Sequence, residues 1–265
     1  MITIHTLASG SEGNAALLSA GDIHILVDAG ISARRVETAL RELEHPAQEL
    51  SAVLITHTHS DHIAGLRVLL KHTPVPVLAS PAVCAALMRQ MPGHAALMHP
   101  LCSGDRRNIG HVTVTAFSTS HDAAGSMDYR FDCGGASAGI LTDTGYVTPA
   151  AEQILAGVEL LLLESNHDIA MLQGGPYPFT LKQRILGDEG HLSNDAAAEF
   201  ACRMAQTGTR QFVLVHLSKE NNDPQLALST VGGALRRGGY EASVCVAPRG
   251  ECSAPYTAEG AVCRR

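Results

Sequence analysis

The chain has 265 residues, 45% of them hydrophobic and 17% charged, with a formal net charge of −7. That is apolar material for one large α/β domain or two small ones, and no apolar run reaches the ~18–20 residues that a membrane-spanning helix needs. The negative balance argues against a broad nucleic-acid-binding face, though it leaves a phosphodiester substrate open.

Ile2 to Leu7 alternates and reads as a first strand. Ser9 to Asn14 is a Gly/Ser loop whose amides are expected to face an anion. Ala15 to Leu18 and Ile23 to Val27 read as a hairpin around Ala20-Gly21-Asp22. Asp28 then closes a buried strand, where a carboxylate needs a partner. Ser32 to Leu43 is an amphipathic helix with Ser32 as its cap. The apolar run Ala52-Val53-Leu54-Ile55 reads as a buried strand. It leads straight into Thr56-His57-Thr58-His59-Ser60-Asp61-His62. While the chain stays extended, His57 and His59 face the same way. The turn after them adds Asp61 and His62, and Ile63 to Leu70 reads as a helix leading away. Three histidines and an aspartate so close together suit two adjacent cations. With 14 His in the whole chain, finding this pattern by chance has a probability on the order of 10⁻³.

Further on, Val77 to Ala79 is a short strand and Pro81 to Met91 a helix. Val112 to Phe117 is a strand running toward His121. Met127 to Phe131 and Ala138 to Leu141 form a strand pair running toward Asp143. Leu160 to Leu163 ends in Glu164, followed by His167 and Asp168, and Phe212 to Val215 ends in His216. His57, His121, Asp143, Glu164 and His216 therefore share one position, the carboxyl end of a strand, where sites are commonly assembled. Helices are expected over Ser193–Thr207 and Asp223–Arg237, and a strand over Glu241–Ala247. Two strand-rich halves, 1–125 and 126–250, suit two sheets flanked by helices. A single domain over 1–252 and a frayed polar tail over 253–265 are expected. His72, His94, His99 and His111, among loops and edges, read as surface or satisfied histidines. Seven scattered cysteines without a Cys-x-x-Cys pair read as buried thiols. Together with an N-terminus lacking the features of a secretory leader, they point to the reducing cytoplasm.

The His57-x-His59-x-Asp61-His62 motif after a strand resembles the signature of the metallo-β-lactamase superfamily. The resemblance implies a four-layer αββα sandwich with two divalent metal ions at one edge. Motif by motif, it assigns His57, His59 and His121 to one ion, Asp61, His62 and His216 to the other, and Asp143 as a bridge; Asp28 would orient the metal loop. Zinc is the expected metal, and the same set also serves manganese or iron. A water shared by the ions would be the nucleophile, which makes Asp61 catalytic as well as a ligand.

Glu164 to Asp168 and Gly190 to Ala197 resemble segments of ribonuclease Z, where a Glu–His pair delivers a proton to the leaving oxygen. The resemblance makes His191 the general acid and Glu164 its orienting carboxylate. His167 and Asp168 would support them. Lys182 and Arg184 are candidates to reach substrate phosphates, the alternative being solvated charge on a helix. The wider pattern resembles the YycJ (WalJ) family. It includes Ser9 to Asn14, His121-Asp122-Ala123, Tyr177-Pro178, Gly190 to Asn194 and His216-Leu217-Ser218. This implies a DNA 5′-to-3′ exonuclease. The chain departs from that family at Ala124 to Tyr129, where a Pro-Gly-Tyr-like stretch is expected. The alternatives are a small-molecule phosphodiesterase, a thioester hydrolase of the same fold, or a binding module. A Glu164/His191 pair favours a phosphodiester, because a thiolate leaves without an acid.

Overall fold

The computed structural model describes residues 1–260. The first of two mixed sheets starts with β1 (Ile2–Ala8), β2 (Ala15–Ala20), β3 (Ile23–Val27), β4 (Leu50–Leu54), β5 (Val77–Ala79) and β6 (Met98–Pro100), adjacent in that order. The second runs from β7 (Arg106–Ile109) through β8 (Val112–Ser118), β9 (Met127–Cys133), β10 (Ala136–Leu141), β11 (Leu160–Glu164) and β12 (Gln211–Val215) to β13 (Ser243–Val246). The chain then returns to the first sheet, where β14 (Tyr256–Ala258) pairs with β1.

The two sheets share an inner core in which Ile4, Leu18, Ile25 and Leu54 meet Val114, Tyr129, Phe131, Ile140 and Leu162. In chain order the helices are α1 (Ala33–Glu42), the one-turn α2 (Ser60–Ile63), α3 (Leu66–His72), α4 (Pro81–Gln90), α5 (Pro149–Leu155), α6 (Ile169–Gly174), α7 (Phe179–Leu186), α8 (Asn194–Thr207) and α9 (Pro224–Arg237). Apolar faces of α1, α3 and α4 cover the first sheet, and those of α5, α8 and α9 cover the second. The four-layer αββα sandwich expected from the resemblance is thus present. It also explains the leucine run in β11. Leu160 and Leu162 enter the inner core while Leu161 and Leu163 enter the outer one, so a strand buried on both faces needs no polar alternation.

Several boundaries differ from the sequence reading. The helix expected over Ile63 to Leu70 is split around Gly65, whose amide donates to the Ala29 carbonyl. A side chain at Gly65 would overlap the backbone of Ile31. The polar tail expected from residue 253 instead contains β14, because Tyr256 and Ala258 are buried in the inner core; the rest of that tail, 261–265 with Cys263, lies outside the described residues. The sheets change over between β6 and β7, near residue 103 rather than 125. Both strands at that changeover lack apolar alternation, and β7 is an exposed edge. Among the described residues no helix is long and apolar enough to cross a membrane.

Candidate metal centre

One edge of the sandwich gathers the carboxyl ends of β3, β4, β8, β10, β11 and β12, and the histidines and carboxylates singled out above follow those strands. Three of the residues there hold a left-handed backbone although none is glycine: Asp28 at φ 60°, Asp143 at φ 51° and His216 at φ 57°. Such conformations cost on the order of 1–3 kcal/mol each and persist where the surroundings over-determine them. Asp and His tolerate them better than most side chains.

Asp28 is the hinge of the first half of the cluster. Its Oδ1 accepts from the Thr56 amide at 2.9 Å, and its Oδ2 accepts from the Thr56 hydroxyl at 2.9 Å and from His62 Nδ1 at 2.7 Å. Thr56 Oγ1 also lies 3.0 Å from His57 Nδ1. These bonds occupy the Nδ1 side of both rings and leave Nε2 to face the cluster. His62 Nε2 lies 3.3 Å from Asp143 Oδ2 and 3.5 Å from Asp61 Oδ2. The loop is latched from the second sheet as well, since the Tyr129 hydroxyl donates to the Ile55 carbonyl at 2.7 Å and the Met127 amide to Thr56 at 3.1 Å.

On the other side, His121 Nδ1 donates to the Gly190 carbonyl at 3.2 Å, and its Nε2 lies 3.3 Å from His59 Nδ1. His216 Nδ1 donates to Glu164 Oε1 at 2.9 Å and aims Nε2 toward Asp61 Oδ2, 3.8 Å away. Asp143 sits between the two groups, with Oδ1 3.7 Å from His121 Nε2 and Oδ2 toward His62.

The donor atoms fall into overlapping groups able to hold a metal ion: His57/His59/His121, His57/His62/Asp143 and Asp61/His62/His216. His57 Nε2, Asp143 Oδ2 and His216 Nε2 are buried without any hydrogen-bond partner. Buried polar atoms are normally satisfied, so unpartnered donor atoms within this cluster fit divalent cations. Burial first, then the neighbouring His62, holds His57 down at about 2, so its imidazole is neutral, as a ligand must be. At His216 burial works downward, but Asp143 and the other carboxylates win and raise it to about 10. The carboxylates call for positive charge there, and a metal ion supplying it would displace that proton.

Glu164 is fully buried. Oε2 accepts from the Thr144 and Leu192 amides at 3.2 and 3.1 Å, while Oε1 accepts from His191 Nδ1 at 2.8 Å as well as from His216. Burial pushes this carboxyl up, yet the two imidazoles bring it to about 2. His191 lines the cleft, a cavity of about 220 Å³ that also meets Ser11, Asn166, Tyr177 and Ser218.

Not every expected residue joins the site. Lys182 Nζ donates to the Gln173 and Gly175 carbonyls at 2.7 Å, capping the end of α6, and does not line the cleft. Arg184 does line it, but pairs with Asp122. Asp168 caps α6 through the Met171 amide. His167 is buried with both ring nitrogens unpartnered. Part of the loop Ser9–Asn14 is taken up within the protein, since Gly10 N donates to Asn14 Oδ1, Gly13 N to the Gly10 carbonyl and Asn14 N to the Asp61 carbonyl, while Ser11 lines the cleft.

Several residues that the sequence placed only within wider motifs touch the cluster. Asn14 Nδ2 lies 3.1 Å from His62 Nε2, and the Ser9 hydroxyl accepts from the His216 amide at 2.8 Å. Asp122 Oδ1 lies 3.5 Å from His59 and 3.6 Å from His121. Its position directly after His121 was the available signal.

A sandwich of this kind with a His/Asp cluster at its edge defines a metal-dependent hydrolase. The sequence profile of the β-lactamase superfamily domain matches residues 24–217, and the chain belongs to that superfamily. Within it, the chain belongs to the family of YycJ and WalJ. The exodeoxyribonuclease YycJ of Bacillus anthracis is 36% identical over 237 residues, covering 88% of this chain and 89% of that protein. The exodeoxyribonuclease WalJ of Streptococcus pneumoniae is 38% identical over 232 residues, 86% of each. The crystal structure of the metallo-β-lactamase fold protein YhfI from Bacillus subtilis shares the fold, with a TM-score of 0.73 over 95% of this chain and 98% of that one at 17% identity.

Proposed function

We propose that the chain is a phosphodiesterase using two divalent metal ions, zinc by preference, and that it degrades DNA from an end as a 5′-to-3′ exonuclease in the cytoplasm. The names of its two relatives support DNA as substrate. The observation that carries the phosphodiester reading is the pairing of buried Glu164 with His191, which lines the cleft beside the cluster. His57, His59 and His121 would hold one ion, Asp61, His62 and His216 the other, with Asp143 shared between them. Bound there, the ions would supply a hydroxide nucleophile at neutral pH and neutralise phosphate charge.

The protein's own contribution is orientation and proton delivery. Asp28 and Thr56 fix the His62 and His57 rings so that Nε2 of each faces inward. Glu164 accepts a hydrogen bond from His191 Nδ1–H, leaving Nε2 to present a proton to the cleft. There it serves as general acid to the departing sugar oxygen. Asp28, Thr56 and Glu164 thus act through the rings they hold.

Incubating metal-loaded protein with end-labelled single- and double-stranded DNA, RNA and bis(p-nitrophenyl) phosphate tests this. Release of nucleotides from one DNA end is expected. Hydrolysis of the small ester with DNA and RNA left intact would favour the small-phosphodiester alternative. The net charge of −7 and the pairing of Arg184 with Asp122 keep that alternative in play.

A further inference from the structure

At the far end of the first sheet, three ligand-type side chains from separate segments converge: His24 at the start of β3, His45 just beyond α1, and Glu49 in the 3₁₀ turn Ala47–Glu49 leading into β4. One donor atom from each lies within 4.8 Å of the others. We propose that His24, His45 and Glu49 form an additional metal site for a borderline divalent ion such as zinc(II), tying the end of α1 to the roots of β3 and β4.

The donor set suits that ion, since two imidazoles and one carboxylate is a common protein complement for zinc, with water completing it. Imidazoles select zinc, copper or nickel over magnesium or calcium. His24 is buried, 5% exposed, and its Nδ1 lies 3.0 Å from Ser19 Oγ. That bond fixes the ring and leaves Nε2 as the donor, the arrangement that supports metal-bound histidines. The β3–β4 register shifts between His24 and Ile25, and such irregularities re-aim a side chain.

His45 is held by its backbone rather than by its ring. Its amide donates to the Leu40 carbonyl at 2.9 Å, and Glu44 before it sits at φ 62° to turn the chain back. The two rings lie with centroids 4.0 Å apart, tilted by 32° to one another. His45 Nδ1 and Glu49 Oε2 are 4.0 Å apart, a loose contact too long for a direct hydrogen bond. The cluster lies four residues before Asp28 on one strand, ~13 Å away along it, so it is separate from the candidate catalytic edge and does not depend on the function proposed above.

The test uses the full chain and zinc alone as the probe. Wild type, His45→Ala, Glu49→Gln and Ser19→Ala are loaded with zinc, desalted, assayed for zinc per protein, and titrated against a chromophoric chelator. His45→Ala and Glu49→Gln, both changes at partly exposed residues, should each carry one zinc equivalent fewer than wild type, with hydrolysis of bis(p-nitrophenyl) phosphate unchanged. Ser19→Ala should retain the site with affinity about 10–100-fold weaker. Equal zinc content and affinity in wild type and both ligand variants would overturn the proposal. So would loss of all zinc together with hydrolysis, since the cluster would then not be a separate site.

Discussion

Replacing His191 with alanine removes a ring that donates to Glu164 Oε1 at 2.8 Å and remains 19% exposed in the cleft. The structural loss is one hydrogen bond to a buried carboxylate, about 1.5–3 kcal/mol. Glu164 keeps three other donors, the amides of Thr144 and Leu192 and the His216 ring, so the chain should stay folded and its metal ligands should stay in place. The chemical loss depends on the leaving group. A sugar alkoxide needs a proton as it departs, and general acid help is typically about 10²–10⁴-fold, or about 2.7–5.4 kcal/mol of barrier. A p-nitrophenolate leaves without it. His191→Ala should therefore lose about 10²–10⁴-fold in kcat on DNA and far less on bis(p-nitrophenyl) phosphate. The assay is steady-state kinetics on both substrates, with metal content measured on the same samples. Equal losses on both substrates, or loss of metal, would refute the assignment of His191 as proton donor.

Glu164→Gln should behave differently from His191→Ala, because Oε1 also orients His216. A carboxamide cannot accept from two imidazoles and two amides at once, so at least one buried donor is stranded at about 1–3 kcal/mol. Both lower metal content and lower hydrolysis of bis(p-nitrophenyl) phosphate are expected, while metal content equal to wild type would contradict the shared carboxylate. Asp28→Asn keeps a side chain that tolerates φ 60° but weakens the hold on His62. Metal affinity should fall about 10–100-fold with the circular dichroism spectrum unchanged, as a metal-buffer titration would show. Asp61→Ala should abolish hydrolysis in folded protein, and activity within a few-fold of wild type in metal-replete buffer would exclude the proposed role. Chelation should lower the melting temperature, since each site at a hundredfold excess of metal over its Kd contributes about 2.7 kcal/mol. A melting curve indifferent to chelator would argue against metals held in the native fold.

Much of this site was legible in the sequence because its residues follow apolar strands whose period and composition are strong signals. Leu160 to Leu163 before Glu164 and Phe212 to Val215 before His216 are examples, and both became strands with those residues at their ends. What escaped has physical reasons. β14 is three residues long, pairs with β1, and sits in a polar stretch. Lys182 reads as a phosphate ligand by position, yet the carbonyls it caps are adjacent only after α6 and α7 have folded against each other. The support groups Asn14, Thr56 and Ser9 are small polar residues in loops, and nothing local distinguishes them from turn formers.

The central claim is that one edge of the sandwich holds two metal ions in a shared ligand set. Anomalous scattering from crystals grown with zinc, with data on both sides of its absorption edge, measures this most directly. The account predicts two peaks at that edge, about 3.5–4 Å apart, one among His57, His59 and His121, the other among Asp61, His62 and His216, with Asp143 touching both. A single peak there, or peaks held by other residues with these seven left free, would contradict it.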